Sequence, residues 1–151
     1  MFISRNSVFL ILTMTLLSFA ILVISIPLLQ YLDSISPSRN IQDEYTKLEF
    51  LILAILVAPL VETFLFQFIV IEIMQKFVKA IFPIVALSAI LFSLSHLNSY
   101  SYAMANLFNG LIFAGTYILA SKKGFNSFLC TATVHSLRNL IVFIASIIFG
   151  L

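Results

Sequence analysis

The chain has 151 residues, the size of one domain. Hydrophobic residues make up 62% of it and charged residues 9%, against about 45–50% and about 25% in soluble globular proteins. So few charges exclude a soluble surface and the basic patches of a nucleic-acid-binding protein. The net charge is only +2, and the single Cys130 excludes an internal disulfide. The composition therefore predicts an integral membrane protein.

Five apolar runs follow one another along the chain, each close to the length of a membrane-spanning helix. The segments between them are rich in charges, Pro, Gly, Asn and Ser, which is typical of turns. The sequence predicts an all-α fold, a bundle of about five transmembrane helices in a single membrane domain over residues 1–151. The runs are Val8–Tyr31, Leu48–Met74, Ala80–His96, Tyr102–Ala120 and Ser127–Gly150.

The first run and the charge distribution predict how the chain is placed in the membrane. The run exceeds the roughly 7–15 apolar residues of a signal peptide, so it is predicted to be a retained helix. With five spans, one side of the membrane carries five Lys or Arg residues and the other side two. By the positive-inside rule, this bias predicts a cytoplasmic N-terminus and an external loop over residues 33–47.

A few polar side chains lie inside the apolar runs: Glu62 in the second, His96 in the third, and His135, Arg138 and Asn139 in the fifth. Ionisable groups at the centre of a span cost at least about 2.5–3.5 kcal/mol, so they are candidates for a functional site. Residues four apart share a helix face, which places Asn139 one turn after His135 and Arg138 beside that face.

The same geometry places the neighbouring residues. Phe92 lies one turn before His96. Gln67 is five residues after Glu62, about 140° around an α-helix, so it is predicted to hydrogen-bond a neighbouring helix and not to share the partners of Glu62. For Arg138 two interpretations stay open, a counter-ion for Glu62 and a contact with a lipid headgroup.

One carboxylate, two histidines and an asparagine on three helices are the groups needed to activate water. The carboxylate can take a proton from water, and a histidine and an asparagine one turn apart can donate hydrogen bonds to an oxyanion. Two histidines and a glutamate are also plausible zinc ligands. An isolated intramembrane histidine or asparagine can equally well hold helices together. The H-E-x-x-H and G-x-S-x-G motifs are absent, so a soluble-type zinc protease and a serine hydrolase are not supported.

Three motifs in this order resemble the CPBP intramembrane proteases, also known as the CAAX-protease and bacteriocin-processing or Abi family. They cover residues 58–139, with a similar core over about residues 48–150 that follows a first helix over residues 8–31. Each motif is weak alone, and the three together are fairly specific. The motifs are Glu62-Thr63 followed by Gln67, Phe92-x-x-x-His96, and His135-x-x-x-Asn139.

The resemblance implies an intramembrane endopeptidase in which Glu62 and His96 activate the attacking water while His135 and Asn139 stabilise the oxyanion. The supporting residues are Thr63, Gln67, Phe92 and Arg138. Thr63 and Gln67 depart from the Glu and Arg of the better-studied branch and match a Glu-Thr…Gln variant. A divalent metal such as zinc, with Glu62, His96 and His135 as candidate ligands, and a mechanism without metal both stay open.

The resemblance also implies a prokaryotic cell membrane and a peptide or lipidated-protein substrate, either prenylated or of bacteriocin type. The expected surroundings are membrane lipid, and nucleic acid is not expected as a partner. A partner membrane protein is one way to supply the additional helices of larger family members. Two alternatives remain. One is a non-catalytic bacteriocin-immunity or scaffold protein that uses the motifs structurally, and the other is a small metal or proton carrier. The enzyme requires Glu62, His96 and His135 to converge at a polar cavity.

Overall fold

The described residues form a bundle of five helices. The computed structural model describes residues 5–36 and 46–149, and these contain no strand, so the predicted all-α fold is confirmed. The five helices are α1 (Arg5–Ile35), α2 (residues 47–77), α3 (Ile81–Leu94), α4 (Tyr100–Lys122) and α5 (Ser127–Phe149).

Four of the five helices are long and apolar enough to cross a membrane, as an integral membrane protein requires, and α3, with 14 residues, is shorter. About 20 residues are needed to cross the hydrocarbon core, so α3 does not reach across it by its own length. Residues 37–45 of the predicted external loop lie outside the described residues. The orientation of the chain stays a prediction.

Helix α3 ends at Leu94, two residues before the predicted end of the third span at His96. In a continuing α-helix the His96 N–H would donate to the Phe92 carbonyl. Instead, that carbonyl accepts from the Ser95 hydroxyl at 2.7 Å and lies 2.8 Å from the His96 ring, and the His96 N–H donates to Ser93. Side chains that compete for a backbone acceptor end a helix in this way. As a result His96 lies in a turn.

Helix α2 alternates between α-helical and π-helical segments, and its first irregularity is explained by a proline. The Ala58 N–H donates to Leu53, which is the i→i−5 spacing of a π-helix. At that spacing the carbonyl of Ala54 would accept from residue 59, but Pro59 has no N–H. The side chain of Asn139 on α5 donates to this open carbonyl at 2.8 Å. In chain order, the segments are Lys47–Ile52 (α), Leu53–Val57 (π), Ala58–Glu62 (α), Thr63–Ile69 (π) and Val70–Phe77 (α).

Side-chain hydrogen bonds between helices fix the position of α2 and α1 in the bundle. The hydroxyl of Ser88 on α3 donates to the carbonyl of Phe66 in the second π-helical segment at 2.8 Å. The hydroxyl of Ser18 on α1 donates to the side-chain carbonyl of Asn109 on α4 at 3.1 Å. Such bonds are the usual polar contacts between helices in a membrane. The first bond holds α2, which carries Glu62, against α3, and the second holds α1 against α4.

Replacing Gly110 with alanine is expected to destabilise the packing of α3 on α4 by about 1–3 kcal/mol. A Cβ atom at Gly110 would lie 2.8 Å from the Cα atom and 3.1 Å from the carbonyl oxygen of Ala89, so two helix backbones would have to separate. Thermal unfolding in detergent measures the loss. Gly115→Ala is the matched control because a Cβ atom there meets nothing within 4 Å. Equal melting temperatures for the two variants would contradict the prediction.

Candidate active site

The carboxylate of Glu62 lies between two imidazoles that come from different helices. Its Oε1 atom is 3.7 Å from Nε2 of His96, after α3, and its Oε2 atom is 3.6 Å from Nε2 of His135 on α5. Glu62 itself ends the α-helical segment between the two π-helical segments. Such π-helical irregularities occur frequently at functional sites. The three residues that the sequence singled out as a polar set therefore meet.

Exposure to solvent falls from one side of this group to the other. The side chain of Glu62 is 22% exposed, that of His96 13% and that of His135 4%. Tyr102, whose ring makes an edge contact with His96 at 5.4 Å between centroids, is 42% exposed. The site therefore opens beside Tyr102, Glu62 and His96, and His135 forms its inner wall.

The ring of His96 is oriented by the turn in which it lies. Its Nδ1 atom is 2.8 Å from the Phe92 carbonyl and 3.0 Å from Oγ of Ser95. The Ser95 hydroxyl gives its hydrogen to the same carbonyl, so its oxygen is free to accept. With two acceptors beside it, Nδ1 carries a hydrogen. In the neutral ring, Nε2 then presents a lone pair to the carboxylate of Glu62.

The ring of His135 is held by aromatic packing. It stacks on Phe113 at 4.3 Å between centroids and makes an edge contact with Phe92 at 5.7 Å. Its Nδ1 atom is buried and has no hydrogen-bond partner among the described residues. A hydrogen on Nε2, which faces Glu62, avoids an unpaired buried N–H and meets an acceptor. His135 therefore presents an N–H to the carboxylate to which His96 presents a lone pair.

Asn139 and Arg138 lie at the end of the site beyond His135. The amide nitrogen of Asn139 donates to the carbonyl of Ala54, and its oxygen accepts from Nη1 of Arg138 at 3.1 Å. Within the described residues no carboxylate forms an ion pair with Arg138, because that of Glu62 faces the two histidines. The interpretation of Arg138 as the counter-ion of Glu62 is therefore wrong.

Thr63 and Gln67 are fully buried on the second π-helical segment of α2. The predicted hydrogen bond from Gln67 to a neighbouring helix is absent, since both of its amide atoms lack a partner among the described residues, as does the Thr63 hydroxyl. The angle of about 140° from Glu62 assumed α-helical geometry. In a π-helix the bonds run from i to i+5, which changes the direction of every side chain after Glu62.

A comparison with protein-family models gives a match over residues 45–141, well over half of the chain, to the family described as Type II CAAX prenyl endopeptidase Rce1-like. The chain belongs to this Rce1-like family. The match includes all three motifs, so the resemblance to the CPBP intramembrane proteases is confirmed. Comparison with curated proteins and with solved structures gives no significant match. Membership makes the protein an intramembrane protease of the CAAX type, whose substrates are membrane-associated proteins.

The carboxylate and imidazole groups of this Rce1-like site are the candidate metal ligands named from the sequence. Within residues 5–36 and 46–149 no group of three or more His, Cys, Asp and Glu side chains is arranged to hold an ion. The hydrogen bond from His96 to a carbonyl would suit a metal ligand, but it suits the binding of a water molecule equally. The proposed chemistry uses the side chains alone, and treatment with a chelator tests whether a metal takes part.

Sequence reasoning missed two groups that shape the site. Phe113 was one apolar residue among many, and only the packing shows that it stacks on His135. The carbonyl of Ala54 is a backbone group, which no side-chain motif reveals. The available sequence signal was Pro59, five residues later, which has no N–H to donate to that carbonyl. Both groups fix catalytic candidates that the motifs had already identified.

Proposed function

We propose that the protein hydrolyses a peptide bond in a membrane-associated substrate, prenylated or of bacteriocin type, with a water molecule activated by Glu62 and His96. The observation that carries this proposal is the carboxylate of Glu62 between two imidazoles, with Nε2 atoms at 3.7 and 3.6 Å. The His96 ring presents a lone pair to this carboxylate, and the His135 ring presents an N–H.

The pair of Glu62 and His96 suits the binding of water. A carboxylate oxygen and an imidazole lone pair repel each other unless a hydrogen lies near both. A water molecule beside them donates one hydrogen to each and directs an oxygen lone pair outward. Both side chains lie on the more exposed side of the site, from which we expect substrate and water to enter. General-base catalysis of this kind contributes about 10²–10⁴-fold in rate.

The proposed reaction balances with these groups alone. The water oxygen forms a bond to the carbonyl carbon of the scissile peptide, and the carboxylate of Glu62 takes the proton. The carbonyl oxygen becomes an oxyanion. The carbon–nitrogen bond then breaks, and the proton held by Glu62 passes to the leaving amine. The products are a carboxylic acid and an amine, and Glu62 returns to its ionised form.

His135 is the proposed donor to the oxyanion. Its Nε2–H points into the site, and the ring is fixed between Phe113 and Phe92, so no reorganisation is needed during the reaction. Donors that are fixed in advance in a water-excluded site are the most effective. Asn139 supports this end of the site through the bonds to Ala54 and Arg138, and its second amide N–H remains for the oxyanion.

Purified protein in detergent is expected to cleave membrane-anchored peptides and to keep its activity after treatment with a metal chelator. The test uses farnesylated peptides and their unprenylated counterparts, with mass spectrometry of the products. The expected products are two new termini at one bond. Chelator-sensitive cleavage restored by Zn²⁺ would contradict the metal-free mechanism. Absence of cleavage from the whole set would contradict the protease.

A further inference from the structure

We propose that Thr131 on α5 and Gln67 on α2 hold an internal water molecule that donates a hydrogen bond to Nδ1 of His135. The water lies on the side of the imidazole that faces away from Glu62. Thr131 and Gln67 are then positioning residues for the oxyanion donor, and their effect on the rate rests on the proposed function. The inference starts from buried polar atoms that have no partner.

Four side chains on α2 and α5, besides Arg138, carry buried polar atoms without a hydrogen-bond partner among the described residues. Buried polar groups in folded proteins are almost always bonded to protein or to ordered water. Three of these side chains are fully buried and the fourth, the imidazole, is 4% exposed. The atoms are Oγ1 of Thr63, both amide atoms of Gln67, Oγ1 of Thr131 and Nδ1 of His135.

Two contacts fix the register of α2 against α5. The side chain of Asn139 bonds to the carbonyl of Ala54 at 2.8 Å, and Nε2 of His135 lies 3.6 Å from the carboxylate of Glu62. Moving back along α5 from the first contact to the second therefore means moving forward along α2, so the two helices run antiparallel. The turn that precedes His135 on α5 accordingly faces the turn that follows Glu62 on α2.

Thr131 and Gln67 occupy these two facing turns. Thr131 is four residues before His135, and residues four apart share a helix face. Gln67 is five residues after Glu62 in the second π-helical segment, which packs against α5. Since the bonds of a π-helix link residues five apart, Gln67 lies about one turn further along α2. The hydroxyl of Thr63 belongs to the same segment.

The donors and acceptors of this group suit a water molecule. A buried water typically makes about three hydrogen bonds to polar groups. Nδ1 of His135 carries a lone pair, because the hydrogen of the ring is on Nε2, so it requires a donor. The Thr131 hydroxyl and the Gln67 amide can each donate and accept. One water therefore gives a hydrogen to Nδ1, gives its second to an oxygen and accepts from the amide.

A donor at Nδ1 acts on the opposite side of the imidazole. Hydrogen bonds in a chain polarise one another, so a ring that accepts at Nδ1 donates more strongly from Nε2. The bond also fixes the tautomer of His135, as the partner of one ring nitrogen does for the other. Packing on Phe113 sets the plane of the ring. The internal water thus completes the support of the proposed oxyanion donor.

Nitrogen-15 NMR of histidine-labelled protein in lipid bilayers tests the water site without turnover. The chain has two histidines, and His96→Gln identifies the signals of His135. The Nδ1 signal of His135 is expected at the position of a hydrogen-bonded acceptor, with magnetisation transfer from water. Thr131→Val and Gln67→Leu should move it to the position of a free acceptor, and Thr131→Ser should keep it. Absence of transfer from water, or an unchanged signal in Thr131→Val, would overturn the proposal.

Thr116→Val is the matched control. Thr116 is fully buried on α4, but its hydroxyl already donates to the carbonyl of Ile112 at 2.7 Å. This variant also exchanges a buried hydroxyl for a methyl group, and it should leave the His135 signal and the rate of cleavage unchanged. A shift of the signal in Thr116→Val equal to that in Thr131→Val would show a general effect of packing and would overturn the proposal.

Peptide cleavage gives the second readout. Thr131→Val should lower kcat about tenfold with little change in KM, because it weakens a donor that acts on the oxyanion and not on the bound substrate. Thr131→Ser should recover most of that loss. A raised KM with unchanged kcat would overturn the positioning role. If NMR shows the water at His135 but no peptide is cleaved, the proposed protease fails and the water site stands.

Discussion

Glu62→Gln is expected to remove peptide cleavage, with a loss of at least about 10²–10⁴-fold, while the protein stays folded. Glutamine has the shape of glutamate and keeps an oxygen facing His135, whose Nε2 lies 3.6 Å from Oε2 of Glu62. It cannot take a proton from water, and within the described site no second carboxylate lies beside His96 and His135. The measurement is the initial rate on a membrane-anchored peptide, normalised to the folded protein recovered from gel filtration.

Glu72→Gln is the matched control on the same helix. Glu72 accepts a hydrogen bond of 2.9 Å from the Tyr117 hydroxyl and lies outside the site, and glutamine keeps an acceptor there. This variant should retain its activity. Full cleavage by Glu62→Gln would refute the proposed mechanism. If an immunity phenotype persisted in cells with Glu62→Gln, the non-catalytic binding protein would be the better interpretation.

The meeting of Glu62, His96 and His135 was predictable from the sequence because ionisable groups are rare in apolar helices. Each is too costly in lipid to face outward, so a small bundle brings them together in its interior. The same reasoning predicted the helices, since runs of about 20 apolar residues have few alternatives in a membrane. The catalytic roles of these residues stay predictions.

The local geometry of α2 was not predictable, because the residues around Glu62 are mostly apolar and the few polar ones, such as Thr63 and Gln67, set no clear period. Hydrophobic periodicity indicates side-chain directions around a helix only where polar and apolar residues alternate. In this segment, a change from α-helix to π-helix does not alter the hydrophobic pattern. The hydrogen bond predicted for Gln67 on α-helical geometry is absent from the π-helical segment in which it lies. The predicted end of α3 was wrong because no Gly or Pro marks the true end. Instead, the side chains of Ser95 and His96 contact the carbonyl that would accept the next backbone hydrogen bond.

Asn139→Ala is expected to reduce both stability and rate, for two separable reasons. It leaves the partly buried carbonyl of Ala54 without its side-chain donor, which costs about 1 kcal/mol. It also removes the amide N–H that we propose as a second donor to the oxyanion, and the loss of one such donor lowers the rate about 10²–10³-fold. Cleavage should fall but remain detectable, since His135 still serves the oxyanion. The measurements are thermal unfolding and the rate per folded protein.

Pro59→Ala separates the two effects, because it supplies the missing backbone N–H at the i+5 position of Ala54. In a double-mutant cycle, Asn139→Ala should therefore cost less stability in the Pro59→Ala background than in wild type, by about 1 kcal/mol. The rate lost with Asn139 should not return, since a backbone N–H at residue 59 donates to Ala54 and not to the substrate. Additive stabilities would show that Pro59 does not leave this carbonyl open. A restored rate would show that Asn139 acts only by holding α5 to α2 and makes no contact with the oxyanion.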